Sequence, residues 1–261
     1  MLYAYFDESY NHRTKANPDE PLVGTVACWL STEELWKKFC KRWRRGLRAF
    51  GIDHFHMKDY EARQGIYRSW SNPERVERLR KLHRIMRDQT VYGCSMSINR
   101  DDFKEKVLSL PDFANWFGKT WYAYCVRGCI KKLAVWCERS SYSHETAIGY
   151  VFGEFPKQGG ELDRLFREML KTPVEKKRYR VSGTWTKVIM KEVVQLQAAD
   201  VIAYELNKRA VNSVSGGRQF VRKSLDNLRL SKNFSAEYFD RDSFMRQIND
   251  DFTKPLPIDN N

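Results

Sequence analysis

Short apolar runs, each long enough for a buried strand, alternate along the chain with longer segments of helical periodicity. The first run, Leu2–Phe6, places two tyrosines on one face and Leu2, Ala4 and Phe6 on the other. Both faces are apolar, which predicts a central strand that is covered on both sides. Similar runs predict further strands at 22–30, 90–98, 147–155 and 177–185.

Apolar residues at helical spacing fill the segments between these strands. Ser31 or Thr32 can cap the first predicted helix, and Pro73 can begin the second. The predicted helices cover about 32–50, 73–87, 115–138, 161–171, 191–209 and 217–230. This order of elements predicts an α/β fold with a mixed five-stranded sheet flanked by helices.

The composition fits one large domain. The chain has 261 residues, of which 42% are hydrophobic, enough to bury a sizeable core. We predict a single domain over residues 1–230, with a helical insertion at about 32–89 and a C-terminal extension at 231–261. The six cysteines form no C-x-x-C pair, which indicates reduced core thiols rather than disulfides or a zinc site. Asp7 and Glu8 interrupt the apolar start, and no apolar run is long enough to span a bilayer, so we expect a cytoplasmic protein.

The charge balance points to a polyanionic partner. Lys plus Arg number 46 against 33 Asp plus Glu, and the formal charge is +13. Nucleic acid is the simplest such partner. Seven basic residues occupy the twelve positions 37–48, which form either a phosphate-contacting surface or an ordinary solvated helix face. The stretches 175–180 and 218–229 add further basic residues. Candidate nucleic-acid contacts are Lys37, Lys41, Arg44, Arg45, Arg48, Lys187 and Lys191.

Three acidic residues stand at positions that need an explanation. Asp200 lies in a helix that is apolar almost all round, where a carboxylate needs a cation, a donor network or a metal ion. Asp7 and Glu154 each end a predicted strand, where ligands bind in open α/β sheets. Taken singly, each has an ordinary interpretation as a turn or loop residue or as a backbone hydrogen-bond acceptor. Together they suggest hard oxygen ligands for Mg²⁺ or Mn²⁺.

Three short motifs resemble a known family. They are YAYFDES at residues 3–9, FHMKD at 55–59 and LQAADVIAYE at 196–205. In this order they resemble the bacterial and phage family catalogued as domain of unknown function 3800, over roughly residues 1–210. The resemblance implies a ribonuclease H-like fold, in which Asp7, Asp200 and Glu154 match the metal-binding acids. Glu8 would be a further ligand, although strand alternation turns it away unless the strand ends at Asp7.

Two departures from the family pattern accompany this resemblance. Tyr10 stands where the family often has glycine, and Lys58 stands where it often has a small or polar residue. His54 and His56 are predicted to share one side of a short strand. They could orient the nucleophile, contact the leaving phosphate, ligate a metal or simply lie at the surface. His56 is the stronger candidate for catalysis, because it lies inside the FHMKD motif.

These residues together predict a metal-dependent nuclease. Two Mg²⁺ or Mn²⁺ ions about 4 Å apart would activate water and stabilise the leaving oxygen, leaving a 5′-phosphate and a 3′-hydroxyl. One alternative is a non-catalytic nucleic-acid-binding module, and another is a metal-dependent hydrolase of small phosphoesters. The sequence leaves open DNA or RNA, single or double strand, and monomer or homodimer.

Overall fold

A computed structural model describes residues 1–13, 15, 18, 20–110, 118–142, 146–153, 159–183, 185–215 and 233–246. Within these ranges, one mixed sheet of six strands forms the centre of the fold. The predicted α/β class is therefore confirmed. The strands are β1 (Leu2–Tyr10), β2 (Val23–Thr32), β3 (Tyr92–Asn99), β4 (Ile148–Gly153), β5 (Thr186–Val188) and β6 (Phe234–Phe239).

Helices cover both faces of this sheet. Three of the helices lie between β2 and β3, and the helix that follows β5 carries the LQAAD residues. The helices are α1 (Glu33–Phe50), α2 (Met57–Glu61), α3 (Asn72–Gln89), α4 (Trp121–Arg139), α5 (Gly159–Leu170), α6 (Pro173–Arg178) and α7 (Val194–Val214). Shorter helical turns lie at Gly65–Arg68, Arg100–Asp102 and Phe103–Val107.

The strand order across the sheet is β5-β4-β1-β2-β3-β6. The strand β1 is antiparallel to β2 and parallel to β4, and β2 is antiparallel to β3. The outer pairs β4–β5 and β3–β6 are both parallel. Consequently β1 lies inside the sheet, and its carboxyl end is at the same edge as that of β4.

The prediction of five strands is wrong by one, because Phe234–Phe239 adds β6 beside β3. This strand falls in the region predicted to be a C-terminal extension. Gly93 of β3 makes room for it, since a Cβ there would lie 2.5 Å from the Trp29 ring and 2.6 Å from the Phe234 ring. The fifth strand is also displaced: residue 181 makes an isolated bridge to Ile148, and β5 itself covers Thr186–Val188.

Two hydrophobic layers flank the sheet. Leu2, Ala4 and Phe6 pack in the layer with α4 and α5. Tyr3 and Tyr5 lie against the other layer, which is built by α1, α2, α3 and α7. The prediction that both faces of β1 are covered is confirmed.

Local signals set the ends of α1, as the sequence predicts. The Thr32 hydroxyl accepts a hydrogen bond from the Leu35 N–H at 3.2 Å, and Gly51 ends the helix with a φ of 73°. The apolar stripe of α1 is buried in the second layer, so most of its basic residues lie in solvent. The predicted helix at 217–230 and the start of the one predicted at 115 lie outside the described residues. No helix in the described ranges is long and apolar enough to cross a membrane.

Candidate active site

Asp7 lies on the central strand, on the face covered by α7. Its side chain is buried, with 6% of its surface exposed. Its Oδ1 atom accepts a hydrogen bond from the Glu8 N–H at 3.0 Å. Its Oδ2 atom is buried and accepts no hydrogen bond from the described residues. A buried carboxylate oxygen without a donor is unfavourable, and a bound cation would remove that cost.

Asp200 reaches the same region from α7 and is 5% exposed. Its Oδ2 atom accepts a hydrogen bond from the Met57 N–H at 2.6 Å. One turn earlier, Gln197 Oε1 accepts the Phe55 N–H at 3.0 Å. The LQAAD residues of α7 therefore bind the backbone of the FHMKD residues directly, which explains why the two motifs occur together.

The segment around His56 is not the short strand that the sequence predicts. It is an extended loop that leads into α2, and His56 precedes the first residue of that helix. The Phe55 and Met57 N–H groups of this segment donate hydrogen bonds to side chains of α7 rather than to a neighbouring strand. The His56 Nδ1 atom lies 2.9 Å from Asp59 Oδ2, and its Nε2 atom lies 3.9 Å from Asp200 Oδ1. His54 is half-buried in the same loop.

The carboxyl groups of Asp7, Glu8 and Asp200 influence one another. Burial raises the pKa of Asp7 well above its ordinary value, and the charges of Glu8 and Asp200 add to this effect. Burial, with a contribution from the charge of Asp200, raises the pKa of Glu8 to about 7. Burial also raises the pKa of Asp200 to about 6, although His56 opposes the shift. Among the described residues, none of the three forms an ion pair with a lysine or an arginine.

The structure thus brings Asp7, Glu8, Asp200 and His56 to one region. The strand continues past Asp7 to Tyr10, so backbone alternation alone would separate Glu8 from Asp7. The charge of Glu8 nevertheless contributes to the raised pKa of Asp7, and the charge of Asp200 contributes to the raised pKa of Glu8. Glu154 lies outside the described residues. The residue before it, Gly153, ends β4 beside the site, because a Cβ on Gly153 would lie 3.6 Å from Asp7 Oδ1.

The acid cluster does not converge on a single point. Within the described ranges, the three ligand atoms that lie within 4.8 Å of one another belong to Cys28, Cys94 and Cys129. No three of the acids and His56 meet this spacing. One Mg²⁺ ion with ligands at about 2.1 Å requires oxygens within roughly 4.2 Å of each other. The arrangement therefore fits ions shared by pairs of carboxylates better than one ion held by all three.

The three clustered cysteines form part of the core. They are fully buried between the sheet and α4. The Cys28 and Cys94 sulfurs are 3.3 Å apart, and the Cys94 and Cys129 thiols point at the carbonyl oxygens of Cys129 and Val26. These weak hydrogen bonds connect the three sulfurs to one another and to the backbone of the core.

The predicted basic contacts separate into two groups. Lys37, Lys41, Arg44 and Arg48 line one open cavity beside β1, which we call the α1 groove. Arg45 is exposed on the same helix but does not line this groove. Lys187 on β5 and Lys191 before α7 are exposed elsewhere on the surface. The basic stretch 218–229 lies outside the described residues.

Two buried polar residues of the helices that pack on the sheet were not singled out from the sequence. Tyr122 of α4 is 1% exposed, and its pKa is raised by burial and then by the charges of Glu8 and Asp7. The helical spacing of α4 indicates only a core position for it. Glu205 of α7 is fully buried, five residues after Asp200. Its place in the LQAADVIAYE motif was the sequence signal that could have singled it out.

Comparisons with known proteins found no match to any protein-family model and no significant match among curated proteins.

Proposed function

We propose that this protein is a divalent-metal-dependent nuclease with a ribonuclease H-like fold. One observation carries the proposal: Asp7, in the C-terminal half of β1, and Asp200, far along the chain in α7, are both buried, and the charges of Glu8 and Asp200 raise the pKa of Asp7. These carboxyl groups lack a lysine or arginine partner among the described residues. Buried like charges are costly unless cations neutralise them.

The strand order supports the fold assignment. Apart from β6, the strands read β3-β2-β1-β4-β5, with β2 antiparallel to its neighbours and the others parallel. A mixed sheet in this order supports a ribonuclease H-like fold. The helices between β2 and β3 and the added strand β6 would be elaborations of that core. The resemblance of the three motifs to the domain of unknown function 3800 family agrees with this assignment.

The donor set favours Mg²⁺ or Mn²⁺. All the acidic candidates offer hard carboxylate oxygens, which suit these ions, and the buried Oδ2 of Asp7 has a free acceptor site. Asp7, Glu8 and Asp200 would hold the ions, with Glu154 as a candidate fourth ligand. Bound ions of this kind activate water and stabilise negative charge on a phosphodiester.

His56, oriented by Asp59, would transfer a proton beside the ions. Because Asp59 lies 2.9 Å from Nδ1, it favours the tautomer with the proton on that nitrogen. The Nε2 atom, 3.9 Å from Asp200 Oδ1, then carries the lone pair on the side of the site. At this position His56 can accept a proton from water or later donate one to the leaving oxygen.

Cleavage assays test the proposal directly. Labelled single- and double-stranded DNA and RNA would be incubated with Mg²⁺, with Mn²⁺ and with a chelator. We expect metal-dependent cutting that falls at least about 100-fold in Asp7→Asn and Asp200→Asn. Asp53→Asn is the matched control, because Asp53 is an exposed acid near His56. Folded protein that cuts none of these substrates, or equal cutting by the three variants, would reject the proposal.

A further inference from the structure

The α1 groove combines positive charge with aromatic walls. It is a solvent-open cavity of about 650 Å³ between α1, β1 and the start of α7. Four basic side chains of α1 line it, with Glu33 as its acidic member. Lys37 is paired with Glu33 at 2.7 Å. Lys41, Arg44 and Arg48 form no ion pair with the described residues, so their charges remain available to an anionic ligand.

The aromatic walls of the groove come mainly from β1. Tyr3 and Tyr5 are half-buried, so part of each ring faces the groove. Trp36 stands behind them: its Nε1–H donates to the Tyr3 carbonyl at 2.9 Å, and its ring meets Tyr5 edge-on at 4.9 Å. Gln195 donates a hydrogen bond to the Tyr5 hydroxyl at 3.3 Å. These contacts hold the Tyr5 ring and the Tyr3 backbone in place before a ligand arrives.

The groove leads toward the acid cluster. Tyr3, Tyr5 and Asp7 alternate along β1 and face the same layer. Successive residues on one face of a strand are about 7 Å apart, so Asp7 is one such step beyond Tyr5. A chain bound along the groove would therefore lie about one such step from the buried Asp7 side chain.

We propose that the α1 groove binds single-stranded nucleic acid, with bases on Tyr3 and Tyr5 and phosphates on Lys41, Arg44 and Arg48. This proposal rests on the proposed nuclease function and names its substrate class. Single strands expose both base faces and phosphates, and proteins hold them with aromatic rings in a positive groove. A duplex hides its base faces, so the tyrosines would have no ligand.

Binding to labelled 12-nucleotide DNA and RNA, measured by fluorescence anisotropy in the presence of a chelator, tests the groove apart from catalysis. The double variant Lys41→Glu/Arg44→Glu changes the groove. Arg80→Glu/Arg84→Glu makes the same charge change at two exposed arginines of α3 outside the groove. We expect the first to weaken binding at least tenfold and to reduce the salt dependence, and the second to weaken it less than threefold.

A matched pair of variants tests the role of the tyrosine rings. Tyr5→Leu removes the ring and should weaken binding about tenfold, whereas Tyr5→Phe keeps the ring and should leave binding within about twofold of the wild type. Tyr3→Leu repeats the test at the neighbouring position if Tyr5→Leu does not fold. A 12-base-pair duplex should bind at least tenfold more weakly than the single strand. Mononucleotides should compete poorly.

Several results would overturn this inference: tighter binding of the duplex, equal effects of the two double variants, or full competition by a mononucleotide. Hydrolysis of bis(p-nitrophenyl) phosphate separates the two proposals, since this small diester does not need the groove. If the groove variants keep this hydrolysis and the wild type shows no preference for single strands, the groove proposal is rejected and the nuclease proposal is not. Groove-dependent binding by a protein that hydrolyses nothing would reject the nuclease alone.

Discussion

Replacing Asp200 with asparagine should make the metal-free protein more stable while abolishing activity. Burial raises the pKa of Asp200 from 3.8 to about 6, so the folded protein disfavours the ionised form. A raised carboxyl pKa stabilises the fold below pH 4, and this contribution is lost as the pH rises through 6. The shift corresponds to a cost of up to about 3 kcal/mol at pH 8. Asparagine avoids that cost and can still accept the Met57 N–H.

The measurement is urea unfolding of wild type and Asp200→Asn in a chelator at several pH values from 4 to 8. At pH 8 the variant should gain up to about 3 kcal/mol, or several degrees in Tm. The gain should vanish near pH 4, where the wild-type side chain is itself neutral. The exposed Asp53→Asn control should stay within about 0.5 kcal/mol of wild type at every pH.

Metal should reverse this order of stability. An ion that binds only the folded state stabilises it by about 4.1 kcal/mol when present at 1,000 times its Kd, which exceeds the gain of the variant. Mg²⁺ or Mn²⁺ should therefore raise the Tm of the wild type and leave that of Asp200→Asn nearly unchanged. A variant that is less stable than wild type at pH 8 without metal would refute the reasoning. So would a stability gain that does not depend on pH.

Three further predictions concern other parts of the chain. His56→Gln should lower kcat about 10²-fold, and Asp59→Asn should lower it less, while both variants bind the single strand as the wild type does. A loss of binding as large as the loss of kcat would argue against a role in proton transfer. Burial lowers the pKa of His83 to about 4, so stability should fall by up to about 3 kcal/mol as the pH drops from 6.5 to 4. Urea unfolding of His83→Leu should lack this part of the pH dependence, and an identical slope would contradict the assignment. Gly93→Ala should cost roughly 1–3 kcal/mol by pushing apart Trp29 and Phe234, and a neutral result would show that β6 shifts freely.

Periodicity predicted most of the sheet and helices because the buried faces are apolar at regular intervals. The strand at Phe234–Phe239 escaped prediction because its segment is short and only partly buried. The sequence predicts a strand at His56, whereas the structure has a loop there. The backbone of this loop is held by two side chains of α7, far along the chain. Such pairing leaves no local pattern.

The site acids also separate into features that a local pattern indicates and features that it does not. Asp7 and Asp200 could be singled out, because a carboxylate within an apolar strand or helix stands out in the sequence. The sequence could not show that Asp200 binds the Met57 N–H or that Tyr122 lies within the field of Glu8. Those relations depend on how α4 and α7 pack against β1, which no local pattern encodes.

The central position of β1 has a consequence for synthesis of the protein. Leu2–Tyr10 is synthesised long before Ile148–Gly153, so one edge of β1 stays open until that strand arrives to pair with it. The partner acid Asp200 follows only with α7. Such long-range pairing makes folding slow relative to local structure. A partly synthesised chain therefore carries Asp7 and Glu8 without Asp200, and the acid cluster is complete only after α7 has packed onto β1.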